Sequence, residues 1–139
     1  MSEEIADILE QAKRITEEMT AEECFRTIIW DNEWDDLSSK QAVYVIKEQK
    51  PRFYDGKVFY VGKSTELGYR LVRHFRGDSS LRKKLEKNLP VNEFDNYFNN
   101  DCVFATKSIS DYDMLGLVET LLIKFYRDCK CPLLNEFKP

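Results

Sequence analysis

Gln41-Ala42-Val43-Tyr44-Val45-Ile46-Lys47 and Lys57-Val58-Phe59-Tyr60-Val61-Gly62-Lys63 are the two stretches on which the fold turns. Both are short and rich in Val, Ile, Phe and Tyr, the residues that suit a pleated, half-buried surface. Between them lie Pro51 and the pair Asp55-Gly56, a turn signal, so the two stretches read as an antiparallel hairpin with an enlarged tip around Gln49 to Asp55. Side chains alternate faces along a strand, so Tyr44 and Tyr60 share a face only in some registers. The sequence leaves that register open.

Downstream, Leu67, Leu71, Val72 and Phe75 recur at helical spacing, which predicts a helix over 65–76 with Gly77 as its stop. Arg70 and His74 are four apart and share a stripe at the edge of its apolar face, from which both are expected to reach one phosphate. Ser79 or Ser80 is placed to cap a short helix that ends near Asn88-Leu89-Pro90 with its bases facing outward. Val103 and Phe104 mark a third strand over 101–107. An apolar helix follows over 111–129, then a short tail. Upstream, Ile5, Ile8, Leu9, Ala12, Ile15 and Met19 predict an amphipathic helix over 2–19. Thr20-x-x-Glu23 reads as a capping box that opens a second helix through Phe25, Ile28 and Ile29. The fold class is therefore α+β: a small three-stranded antiparallel sheet flanked by helices, with residues 1–40 as an acidic helical extension and 41–139 as one compact domain.

At 139 residues, 42% hydrophobic and 33% charged, the chain suits one soluble domain. No apolar run approaches the roughly 18 to 20 residues that span a bilayer. Met1-Ser2-Glu3-Glu4 lacks the basic character of a signal peptide, so a cytoplasmic location and no membrane partner are expected. Cys24, Cys102, Cys129 and Cys131 are scattered, unlike a disulfide framework. Zinc at Cys129-Lys130-Cys131 lacks a second ligand pair, with His74 the only histidine. The net charge of −4 hides an uneven distribution. Residues 1–40 hold 12 acids against 4 bases, whereas residues 63–87 hold 8 bases against 3 acids. Those bases are Lys63, Arg70, Arg73, Arg76, Arg82, Lys83, Lys84 and Lys87. Alone they fit a solvated helix face as well as a phosphate backbone.

Glu119 stands apart. Leu115, Val118, Leu122 and Tyr126 surround it at helical spacing, so its carboxylate projects from an apolar side. A charge there is costly unless a cation meets it. A divalent metal or a lysine partner would both meet that need.

Taken together, these residues resemble the GIY-YIG nucleases. Ala42-Val43-Tyr44 matches the first half-motif. Tyr60-x2-Lys63-x6-Arg70-x3-His74 matches the second half-motif and the helix after it. Glu119 within Val118-Glu119-Thr120-Leu121-Leu122, and Asn135 within Pro132-Leu133-Leu134-Asn135, match the late carboxylate and closing asparagine. The resemblance spans about Gln41 to Phe137. Ala42 stands for the first glycine and Val43 and Val61 for isoleucines, changes that remove no functional group. The resemblance implies a metal-dependent endonuclease acting on DNA, ahead of RNA, with Glu119 holding Mg²⁺ or Mn²⁺. Arg70 and Lys63 would stabilise phosphate charge, either Tyr44 or Tyr60 would help deprotonate water, His74 would contact the nucleophile or the leaving side, and Asn135 would support the site. Cutting both strands with one site favours a homodimer. The other reading is a non-catalytic DNA-binding or regulatory module on the same scaffold.

Overall fold

The computed structural model describes residues 3–24, 40–76, 79–89, 93 and 96–135. Its elements are α1 (Glu3–Glu17), β1 (Glu23–Cys24), β2 (Ala42–Glu48), β3 (Val58–Ser64), α2 (Leu67–Arg76), α3 (Ser80–Asn88), one π-helical turn (Tyr97–Asp101), β4 (Cys102–Ser108) and α4 (Tyr112–Asp128). The expected hairpin, third strand and flanking helices are all present, so the α+β class holds. Three full-length strands form an antiparallel sheet, and the two-residue β1 extends it at one edge in the order β1-β4-β2-β3.

β2 lies in the middle, and its first five residues are all buried. A strand covered on both faces reads as a continuous apolar run rather than an alternation. Ala42, Tyr44 and Ile46 face a core built with Leu67, Leu71, Leu81, Leu85, Tyr97 and Phe98, from α2, α3 and the π turn. Val43 and Val45 face a second core with Leu115, Val118 and Leu122 of α4, against which Ile15 and Met19 also pack. Truncating a central side chain such as Leu71 removes both transfer energy and packing, typically about 2–5 kcal/mol.

Tyr44 pairs with Gly62 and Ile46 with Tyr60, after which the register slips so that Lys47 pairs with Val58. That slip is a bulge at Phe59. It turns Phe59 and Tyr60 into the same core while Val58 goes to the other. The register thus places Tyr44 and Tyr60 diagonally on one face, with ring centroids 6.2 Å apart.

The long hairpin tip is organised by Glu48, which is completely buried. Its carboxylate accepts hydrogen bonds from the backbone N–H groups of Arg52, Phe53, Tyr54 and Gly56 at 2.8–3.0 Å, and from the Tyr97 hydroxyl. Asp55 and Gly56 both take positive φ, as the Asp-Gly signal requires.

One expectation fails at the N-terminal side. Thr20 opens no helix: its N–H donates to the Thr106 carbonyl at 2.9 Å, and its hydroxyl accepts the Thr106 N–H at 3.0 Å. Glu23 and Cys24 then pair with β4. Bonds to the open edge of β4 outcompete the local capping box. The rest of the expected second helix, through Phe25, Ile28 and Ile29, lies outside the described residues. Among the described residues, no helix is long and apolar enough to cross a membrane.

Candidate active site

Tyr44 is fully buried and its ring lies across Gly62 on the neighbouring strand. A Cβ at residue 62 would overlap the Tyr44 Cζ and hydroxyl, so only glycine admits the ring there. The Tyr44 hydroxyl meets His74 Nε2 at 2.5 Å, and His74 Nδ1 meets Ser79 Oγ at 3.0 Å. Ser79 is also the N-cap of α3, where its hydroxyl accepts the Arg82 N–H at 3.1 Å. The tyrosine, the histidine and the start of α3 therefore form one connected chain.

His74 is correspondingly not where the sequence pattern suggested. It is wholly buried, with both ring nitrogens engaged, and it stands behind Tyr44 rather than beside Arg70 at a phosphate. The helical stripe was read correctly, but α2 turns that part of it toward the sheet. Burial, with the Arg70 and Arg73 guanidiniums adding to it, holds the imidazole pKa down at about 3. It is neutral, with one nitrogen donating and the other accepting.

Arg70 is half-buried on α2 and its guanidinium interacts with both phenols. Burial raises the pKa of Tyr44 and Tyr60, and Arg70 pulls against that rise without cancelling it. Both phenols are neutral at rest. Tyr60, at 8% exposure, is the less buried of the two.

Glu119 comes from α4, which covers the opposite face, yet its charge acts on Tyr44 and Tyr60. Burial raises its carboxyl pKa, opposed by Lys63 and Arg70. It has no hydrogen bond or ion pair within 4 Å among the described residues. Lys63 is exposed at the end of β3, and its Nζ lies 3.1 Å from where a Cβ on Gly116 would be, one helical turn before Glu119. The ammonium thus lies close against α4.

Asn135 sits outside this cluster but holds its frame. Its side chain accepts the Val61 N–H at 3.0 Å and donates to the Val61 carbonyl at 2.5 Å. The Leu134 N–H donates to the Phe59 carbonyl at 2.7 Å. The tail thereby occupies the open edge of β3 as a short strand would.

The remaining bases divide. Arg73 lines the cleft beside Lys63 and Arg70. Lys83 and Lys87 are exposed on α3, whereas Arg82 pairs with Glu86 at 2.8 Å and Lys84 donates to the Leu134 carbonyl at 2.7 Å. The Arg76 side chain lies outside the described residues. Sequence reading missed Ser79 as the brace of His74 and Glu48 as the loop anchor. Only Ser79 carried a signal, through its capping position.

The donor set limits what metal the site suits. Glu119 is a single carboxylate, and no group of three or more His, Cys, Asp or Glu side chains converges among the described residues. Such a site cannot enclose an ion on its own. A hard divalent cation held there through Glu119 would have to keep most of its waters.

Comparison with protein families, with curated proteins and with solved structures returned no match.

Proposed function

We propose that this chain is a metal-dependent endonuclease of the GIY-YIG type that hydrolyses phosphodiester bonds in DNA. The observation that carries it is Glu119: a half-buried carboxylate without an ion-pair partner among the described residues, within reach of Arg70, Lys63 and two phenols. Burying that charge costs stability, and a cation arriving with a phosphate offsets the cost. Mg²⁺ or Mn²⁺ bound through Glu119 would supply counter-charge to the phosphate and acidify water.

The protein's own groups do the rest. Arg70, whose guanidinium interacts with both Tyr44 and Tyr60, presents a planar fork to two phosphate oxygens as charge builds on them. Lys63 adds a mobile point charge at the rim. Tyr60, the outer phenol, orients the attacking water by a hydrogen bond, and Tyr44 fixes Tyr60 from behind through the His74–Ser79 chain. Loss of a phenolic proton needs more positive charge than Arg70 alone provides, which ties catalysis to the arrival of the cation.

Purified protein should nick supercoiled DNA with Mg²⁺ or Mn²⁺ and leave it intact in excess chelator. Glu119→Ala and Arg70→Ala should each lower the rate by about 100-fold or more, as for removal of a charge-stabilising group, with thermal unfolding still cooperative. Cleavage persisting in both variants would sink the assignment. Salt-sensitive DNA binding without cleavage under either metal would establish the non-catalytic module instead.

A further inference from the structure

The end of β3 is a ridge between two clefts. One, of about 320 Å³, is lined by Lys63, Thr65, Glu66, Tyr69, Arg70 and Arg73. The other, of about 340 Å³, is lined by Lys63, Ser64, Tyr112, Asp113 and Gly116, with Leu115 at its base. Each contains one strongly exposed aromatic ring: Tyr69 is 52% and Tyr112 is 69% exposed. Partly exposed aromatic rings mark contact surfaces when they gather, and these two flank the proposed phosphate-binding lysine. Their charges differ. Lys63, shared by both clefts, is joined by Arg70, Arg73 and Glu66 in the Tyr69 cleft and by Asp113 in the Tyr112 cleft.

We propose that these clefts bind unpaired nucleotides on either side of the scissile phosphate, so that the substrate is single-stranded DNA or the unpaired arm of a branched DNA. Cationic grooves interleaved with aromatic rings are how sequence-tolerant single-strand binders work. The backbone tracks along Arg70 and Arg73, one base stacks on Tyr69, and the base across Lys63 stacks on Tyr112 in the other cleft. A paired base cannot offer its face without leaving the duplex stack, which costs a few kcal/mol. This inference rests on the nucleic-acid part of the proposed function and names the substrate class of the same site.

The test is binding by the full-length Glu119→Gln chain, measured by fluorescence anisotropy on a labelled single-stranded oligodeoxynucleotide and on a duplex of equal length. Single strands should bind more tightly. Tyr69→Ala and Tyr112→Ala should each weaken single-strand binding by about 5- to 100-fold, the span of base–aromatic stacking, with duplex binding little changed. Phe at either position should restore it. Both rings are at the surface, so folding should survive. Equal loss on duplex and single strand, or no loss on either, overturns the proposal. So does a dimer, seen by sedimentation, that Tyr112→Ala dissociates, because a second copy would then cover that ring. Single-strand binding through both tyrosines without cleavage under any metal defeats only the hydrolase reading. Cleavage by a chain whose single-strand binding ignores both tyrosines defeats only this one.

Discussion

His74 illustrates how one residue can tie the candidate site to folding. It is buried and neutral, and its pKa falls from 6.5 to about 3. The unfolded chain therefore takes up a proton, as pH drops below about 6.5, that the folded chain refuses until about 3. Stability is full above the upper value and lost as pH falls through that window, by on the order of a few kcal/mol at one pKa unit per 1.36 kcal/mol. Urea unfolding across this range should show the decline in the wild type. His74→Phe should be less stable at neutral pH, having lost the bonds to Tyr44 and Ser79, but its stability should stay nearly flat down to the carboxylate range. A wild-type decline identical to that of His74→Phe would place the sensitivity elsewhere. Gly62 is tied to the same point, since the Tyr44 ring that reaches His74 lies where a larger residue 62 would need to be.

At the scale of elements, the β2–β3 connection is held by a buried charge as well as by the packing of Tyr54 on Phe59 and of Phe53 on Tyr97. Burial works against the Glu48 carboxylate, but hydrogen bonds from Tyr97 and from the Gly56, Phe53 and Arg52 amides outweigh it and lower its pKa. Glu48→Ala should cost roughly 2–4 kcal/mol in chemical denaturation, because several inward-facing amides lose their acceptor together. The loop over 49–57 should become the first site of proteolytic cutting. Loss of only a few tenths of a kcal/mol would mean that water replaces the carboxylate. The sequence showed that this connection was long, and Asp55-Gly56 showed where it turned. It could not show that a glutamate following five buried strand residues would fold inward, since its partners are backbone amides, which any residue carries. The same limit explains the N-terminal error. Thr20-x-x-Glu23 satisfies a local rule, while the free edge of β4 that captures Thr20 and Glu23 exists only once the sheet has formed. The strands were legible through their runs of Val, Ile, Phe and Tyr, and the helices α2 and α4 through helical periodicity, because both patterns record burial. Tyr44, Tyr60, Arg70 and Glu119 stood out as a set only through the family resemblance, and the register that joins the tyrosines was not legible.

Across the whole molecule, stability and the proposed activity pull in opposite directions at Glu119. Burial raises its carboxyl pKa, and the attraction of Lys63 and Arg70 does not cancel that effect. The folded state thus favours the protonated acid more than the unfolded state does, so this group's contribution is most favourable at low pH and is lost as pH rises through its folded pKa. At neutral pH the fold carries a net penalty for holding the ionised form. Glu119→Gln keeps the shape and removes the charge. It should unfold at a temperature equal to or higher than that of the wild type at neutral pH, with the difference shrinking as acid protonates the wild-type carboxyl, while cleavage is lost. Stabilisation by a variant that abolishes function is the signature of a group retained for chemistry rather than for folding. The opposite result, a clear drop in unfolding temperature at neutral pH, would mean that Lys63 and Arg70 make Glu119 a structural ion pair. A divalent cation would then have to break that pair to bind, and Mg²⁺ titration of the wild type would raise its unfolding temperature little or not at all.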